Sequence, residues 1–340
     1  MSLANDLLKW YDRSRRSLPW RGTQDPYRIW LSEIMLQQTR TETVERYYAR
    51  FLDRYPTAAQ LAAAPEDDVL KLWEGLGYYS RARNLHAAAK KVAFETGGIF
   101  PRDAAGLRAL PGVGPYAANA IASIAYGECA PALDGNQARV LSRILAHEPP
   151  LKTPFDLLEP AMELISRERP GDYNQALMDL GASICTPKKP KCDLCPIAAH
   201  CCAREAGDAE SFPRKLPPIP KREEELTVVI VRCRDGLFVR KRPGKGLLAG
   251  MYEFPMVEGH PPLGELPALL ESQGFGGVRV EKALPDARHV FTHLVWRMKG
   301  ALAFAESAPE GYIAVSSLSA TAISSAIRVY RGIAEELLGE

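Results

Sequence analysis

The chain has 340 residues, enough for two sizeable cores, and its 46% hydrophobic and 25% charged content is that of a soluble globular protein. No apolar run approaches the length of a membrane span, which excludes a membrane partner, and Met1-Ser2-Leu3 begins no secretory or transit signal. A net charge of +2 points by itself to no nucleic-acid partner. Basic charge is instead local: residues 1–40 hold seven Lys and Arg against four acids, and residues 183–222 hold eight against four.

From Asn5 to about Ala206 apolar residues recur at three- and four-residue spacing, which predicts helices throughout and no strand. Short breakers separate them, among them Leu18-Pro19, Tyr55-Pro56, Gly97-Gly98 and Pro111-Gly112. Residues 211–224 then bring four prolines and four basic residues between Phe212 and Arg222, an extended exposed linker. Beyond it the period changes to two. Strands are expected over Leu226–Cys233 and Leu237–Arg242 with a turn at Asp235-Gly236, near Val278–Val280, and over His289–Phe304. Helices are expected over 263–273 and 324–338, giving a separate α/β domain over 225–340 after a helical domain over 1–210.

Candidate chemistry starts in the helical run Ile29–Leu36, where Glu33 is the one carboxylate among apolar neighbours. Loss of solvation pushes such a carboxyl upward in pKa, which suits a general acid; a half-buried Glu paired with an arginine is the plainer reading. A second carboxylate, Asp134, opens a turn, Asp134-Gly135-Asn136, before a helix. It is read as a helix cap with Gln137 completing a capping box, and equally as a carboxylate kept ionised by the helix N-terminus. Two carboxyls tuned in opposite directions are what glycosidic cleavage requires. Leu110-Pro111-Gly112-Val113-Gly114-Pro115-Tyr116 offers glycines at Gly112 and Gly114 that let the backbone approach a phosphate, or a bare turn between helices. Gly75-Leu76-Gly77-Tyr78 sets Leu76 and Tyr78 on a flexed turn, where either can wedge between bases or pack beneath the turn.

Cys185, Cys192, Cys195 and Cys201 are spaced six, two and five residues apart, with a single C-x-x-C. Four thiolates in so short a stretch suit a 4Fe-4S cluster better than zinc, which more often takes two such hooks. The thiols at Cys129, Cys202 and Cys233 fit a reducing interior, with the cytoplasm as the expected location. Lys188 and Lys189 lie in the first spacer between prolines, a cationic loop suited to phosphates or a solvated charge run.

These motifs resemble those of the helix-hairpin-helix DNA glycosylases, the group containing endonuclease III and the adenine DNA glycosylases. The cysteine loop resembles their 4Fe-4S loop at 185–201, residues 105–125 their helix-hairpin-helix, and Leu31–Thr39 the adenine-specific signature around Glu33. The resemblance implies catalytic roles for Glu33, Asp134 and Tyr116, with Gln137 departing from the usual valine. Relatives that cut the strand carry a lysine where Tyr116 stands, so a monofunctional enzyme is implied. It also implies contacts to substrate from Arg21, Gln38, Thr39, Leu76, Tyr78 and Gln175; Trp20 aligns with the base pocket too but reads as core. The C-terminal part resembles a Nudix fold without the acidic hydrolase box, since Arg222-Glu223-Glu224-Glu225 lacks the spacing. In it Phe291, Thr292 and His293 resemble a lesion-sensing loop, with Thr292 in place of serine; an ordinary strand end is the alternative.

The implied fold is therefore an all-α glycosylase domain with an iron–sulfur loop, followed by an α/β Nudix-like domain. The implied function is removal of adenine mispaired with 8-oxoguanine or guanine in double-stranded DNA, by a monomer that is nucleoid-associated in a bacterium. A thymine–guanine mismatch glycosylase leaves Glu33 and the second domain unexplained. A silent DNA-binding protein is disfavoured by the two carboxylates, and a nucleotide pyrophosphatase by the missing box.

Overall fold

The structure, a computed structural model, describes residues 2–339 except Lys215, Pro218, Ile219, Lys245, Thr292, Ala320 and Ala322. The chain divides into two compact units, Met1–Pro217 and Pro218–Glu340. Among the described residues no helix is long and apolar enough to cross a membrane.

The first unit is helical and its described residues form no strand. Its helices are α1 (Leu3–Ser14), α2 (Pro26–Leu36), α3 (Thr41–Arg54), α4 (Ala58–Ala63), α5 (Glu66–Leu72), α6 (Ser80–Glu95), α7 (Ala104–Arg108), α8 (Pro115–Tyr126), α9 (Gly135–Leu145), α10 (Leu158–Leu164), α11 (Pro170–Ser183) and α12 (Cys202–Glu205). Helices α2, α3, α6 and α8 enclose one core, where Trp30, Phe51 and Trp73 are fully buried. Helices α1, α9 and α11 enclose another, around Leu7, Tyr11, Leu141 and Tyr173. The helix starts follow local chemistry. The Asp25 side chain accepts from the Tyr27 N–H at 2.9 Å and Pro26 supplies the first helical position of α2.

The second unit holds β1 (Arg222–Cys233), β2 (Gly236–Lys241), β3 (Tyr252–Glu253), β4 (Met256–Glu258), α13 (Leu266–Ser272), β5 (Arg279–Val290), β6 (Leu294–Phe304), β7 (Tyr312–Val315) and α14 (Arg328–Leu338). The sheet order is β3-β2-β1-β6-β5, with β4 also pairing β1 and β7 also pairing β2. Central β1 runs parallel to β6, from Arg222 opposite Leu294 to Arg232 opposite Phe304. Both faces of the sheet are covered. Val228 and Ile230 point into a core with Tyr330 of α14, while Val229 and Val231 point into one with Leu266 and Leu270 of α13.

Several sequence expectations change here. The single strand expected over His289–Phe304 is the tip of a hairpin, in which β5 ends at Val290 and β6 starts at Leu294. Its turn carries neither Gly nor Pro to signal it. Strand β1 starts at Arg222, so Glu223 and Glu224 belong to the sheet and not to a linker; they accept from Arg297 and from Trp296 Nε1. The β1–β2 turn is Arg234-Asp235, one residue earlier than expected. Gly236 instead opens β2, where a Cβ would meet the Val315 carbonyl oxygen at 2.0 Å.

Candidate active site

Glu33 lies on α2 between the fully buried Leu31 and Met35, and is itself buried. It lines a small cavity with Arg16, Trp20, Arg21, Tyr116, Gln175 and Met178, contributed by the segment before α2, by α8 and by α11. One of its carboxyl oxygens, Oε2, is buried without a hydrogen-bond partner. Burial pushes its pKa up from 4.5 to about 7; the Tyr116 hydroxyl and the Arg21 charge oppose the rise and Asp134 adds to it. That hydroxyl turns its hydrogen bond to Met178 Sδ at 3.8 Å, and its own pKa is raised first by burial and then by Glu33 and Asp134. Arg21 does not pair with Glu33, because its guanidinium donates to Asp179 Oδ1 at 3.1 Å and to the Tyr11 hydroxyl at 2.8 Å. Arg16 also donates to Asp179, at 2.9 Å. Trp20 both lines the cavity and packs edge-on against Tyr48 at 5.4 Å.

Asp134 caps α9: Oδ1 accepts from the Gln137 N–H at 2.7 Å and Oδ2 from Asn136 Nδ2 at 3.3 Å. The expected capping box does not form. The Gln137 side chain is buried and donates to the Asn174 carbonyl at 3.1 Å, away from the cavity. Nor are the two carboxyls tuned in opposite directions in the free protein. Burial outweighs the cap hydrogen bonds and raises the Asp134 pKa as well. What separates them is hydrogen bonding, since both Asp134 oxygens are held and Glu33 Oε2 is not.

Gly112 has φ +75° in the turn between α7 and α8, where a Cβ would meet Asn84 Cβ at 2.7 Å; Gly114 caps α8 ahead of Pro115. This leaves backbone N–H groups at the start of α8. At the other turn, Tyr78 is 64% exposed whereas Leu76 is buried in the core, so only Tyr78 is free to act as a wedge. Gln38 is exposed with φ 58°, and the Thr39 hydroxyl accepts from Arg81 at 2.9 Å. No role for Arg81, Arg16 or Asp179 is legible in the sequence, because their partners are brought together only by the fold.

The four cysteines lie in the loop after α11 and are free thiols, not disulfides. Burial raises the Cys195 thiol to about 11, and each of the other three lies near enough to raise it further. Among the described residues no three His, Cys, Asp or Glu side chains converge closely enough to share a single ion. A cube with four iron corners takes one thiolate at each, so its ligands stand apart around it and do not meet at a point. The donor set fits that group. Arg143 braces the loop through Cys185 Sγ at 3.2 Å and the Thr186 carbonyl at 2.8 Å, and Arg139 through the Cys185 carbonyl at 2.9 Å. Lys188 and Lys189 project exposed from it.

Residues 31–166 match the HhH-GPD superfamily of base excision DNA repair proteins, residues 185–201 the iron-sulfur binding domain of endonuclease III, and residues 227–330 the NUDIX domain. The mouse adenine DNA glycosylase is 37% identical over 351 residues, covering 85% of this chain and 68% of the relative. The chain belongs to the adenine DNA glycosylase family. Another relative, the adenine DNA glycosylase of Buchnera aphidicola subsp. Baizongia pistaciae, is 37% identical and covers 73% of this chain and 72% of the relative. The human adenine DNA glycosylase is 37% identical, and the chain spans 64% of its length. Among solved structures, a thermostable thymine-DNA glycosylase matches with TM-score 0.54 and 31% identity, covering 60% of this chain and 95% of that one. An endonuclease III–DNA complex shares the fold at TM-score 0.51 and 22% identity. The cofactor of this adenine DNA glycosylase family member is a 4Fe-4S cluster.

In the second unit of this adenine DNA glycosylase family member, the Phe291 ring packs between His289, at 4.5 Å, and Trp296, at 5.0 Å. Its carbonyl accepts from Lys221 Nζ at 2.6 Å. His293 is exposed, and Thr292 lies outside the described residues.

Proposed function

We propose that the protein is a monofunctional DNA glycosylase that hydrolyses adenine from double-stranded DNA where it is mispaired with 8-oxoguanine or guanine. The observation that carries this reading is Glu33, a buried carboxyl with an unpartnered oxygen and a pKa near 7, facing a cavity. Residues 1–210 hold the chemistry, the sheet domain that begins with β1 at Arg222 reads the base opposite the target, and 211–221 connect them.

The adenine leaves the stack and enters the cavity beside Trp20, Arg21 and Gln175. Neutral Glu33 gives its proton to N7, and the C1′–N9 bond breaks with its electron pair passing to the base. The sugar carries the positive charge left behind. Ionised Asp134, held by Gln137 N–H and Asn136, stabilises that cation or adds to it, and the Tyr116 hydroxyl supports the same charge. Water adds at C1′ and returns a proton to the carboxylates. Tyr116 has no amine, so no Schiff base forms and the strand stays whole.

Cys185, Cys192, Cys195 and Cys201 hold the 4Fe-4S cluster. Hydrolysis transfers no electrons, so the cluster fixes the loop that presents Lys188 and Lys189 to phosphates, together with the backbone at Gly112 and Gly114. Gln38, Thr39 and Tyr78 sit beside the lesion pair, and Phe291, Thr292 and His293 sense the base opposite. The enzyme acts as a monomer in the cytoplasm, at the nucleoid in a bacterium. Single-turnover assays on duplexes with adenine opposite 8-oxoguanine, guanine and thymine test the reading. Excision fastest opposite 8-oxoguanine is expected, and excision of thymine from a guanine mismatch in preference to adenine overturns it.

A further inference from the structure

Arg81 sits in the first turn of α6 with only 7% of its surface exposed. No carboxylate lies within ion-pair reach among the described residues, Nε has no partner, and burial lowers its pKa. A cation at a helix N-terminus opposes the helix dipole as well. Such a cost, uncompensated by an anion, needs another explanation.

The remaining guanidinium donors supply one. Nη1 donates to the carbonyls of Ile34, at 3.0 Å, and Met35, at 2.8 Å, the turn of α2 that follows Glu33. Nη2 donates to the Thr39 hydroxyl at 2.9 Å and to the carbonyls of Leu76, at 3.1 Å, and Gly77, at 3.2 Å. Two of these acceptors adjoin Gln38 and Tyr78, both non-glycine residues in left-handed backbone at φ 58° and 49°. Such conformations persist where the surroundings over-determine them. The Tyr78 ring lies 5.6 Å from the same guanidinium, which stacks on Trp73 from 5.2 Å.

We propose that Arg81 is the positioning residue that makes the two DNA-probing turns and the Glu33 helix one rigid unit, so that insertion of Tyr78 beside the target pair sets the placement of the acid. The proposal rests on the reading of Glu33 and Tyr78 given above. A lysine carries the charge but lacks the fork of donors that reaches these five acceptors.

The test is a double-mutant cycle of Arg81→Lys and Tyr78→Ala in the full-length protein with its cluster. Single-turnover excision of adenine opposite 8-oxoguanine is followed at saturating enzyme. Each single variant should lose about tenfold or more, since misplacement alone has that scale. Tyr78→Ala should then add less than about twofold in the Arg81→Lys background. The pH midpoint of the residual activity should not move, because Glu33 stays buried while its aim changes. If Arg81→Lys does not fold, Thr39→Val removes one acceptor and takes its place in the cycle. Losses that multiply overturn the proposal. A second readout does not need catalysis: 2-aminopurine beside the target pair reports unstacking, which Arg81→Lys should reduce to the Tyr78→Ala level. Wild-type protein that unstacks DNA but does not excise adenine overturns the functional reading, while the fluorescence cycle still judges Arg81.

Discussion

Glu33 separates function from stability at one position. Its carboxyl titrates near 7 in the folded protein and at 4.5 ordinarily, so the protonated form is favoured by folding. The sign follows directly: the contribution to stability is fully present below 4.5 and is lost as pH rises through about 7. A shift of that size corresponds to roughly 3 kcal/mol above neutrality. Glu33→Gln should therefore raise the unfolding free energy at pH 8 by up to about that amount and change little at pH 4, measured by denaturant unfolding. The same variant should lose about 10²–10⁴-fold in single-turnover excision while retaining DNA binding, the usual span of general acid catalysis. In the wild type, kcat/KM should fall as pH rises through about 7, because the free enzyme then loses the proton it must donate. A rate that stays flat from pH 6 to 9 would remove Glu33 from that role. Tyr116 carries the complementary expectation: borohydride should trap no protein–DNA adduct at rates matching base loss, and product strands should stay intact until treated with alkali.

At the scale of elements, the cysteine loop is braced by α9, whose first residue follows Asp134 and whose Arg139 and Arg143 hold the Cys185–Pro187 backbone. Anaerobically purified protein should contain about four irons per chain, and stoichiometric zinc in their place would overturn the assignment. The loop was legible in the sequence because cysteine spacing is a local property, and α2 because one carboxylate interrupts an apolar helical repeat. The direction of the Asp134 pKa was not legible, since a cap hydrogen bond is local but the burial that overrides it comes from packing. Arg81 was hidden for the same reason: its five acceptors lie on residues 34–77, and only the fold gathers them. Sequence alone also could not choose between Leu76 and Tyr78 on one turn. Burial assigns Leu76 to the core and leaves Tyr78 outside.

Across the whole molecule, the proposed function gives the two units separate tasks. Removing residues 218–340 should leave adenine excision in place and narrow the preference for 8-oxoguanine over guanine, by a factor that corresponds to about 1–3 kcal/mol for one lost base contact. An unchanged ratio of the two rates would take the second unit out of lesion recognition. That unit also has a consequence for how the protein is made. Its central strand, β1, is the first to leave the ribosome, yet its parallel partner β6 starts at Leu294, opposite Arg222. Until β6 emerges, the run Val228–Val231 has no neighbour on that edge, and closing so long a loop is slow. Such a segment is a hazard for association between nascent chains. Slower translation should therefore not help, whereas lowered temperature or a chaperone that shields β1 should raise the soluble yield of the full chain more than that of residues 1–217. Comparing the soluble fractions of the two at 18 and 37 °C (roughly the span over which hydrophobic association strengthens) would measure it.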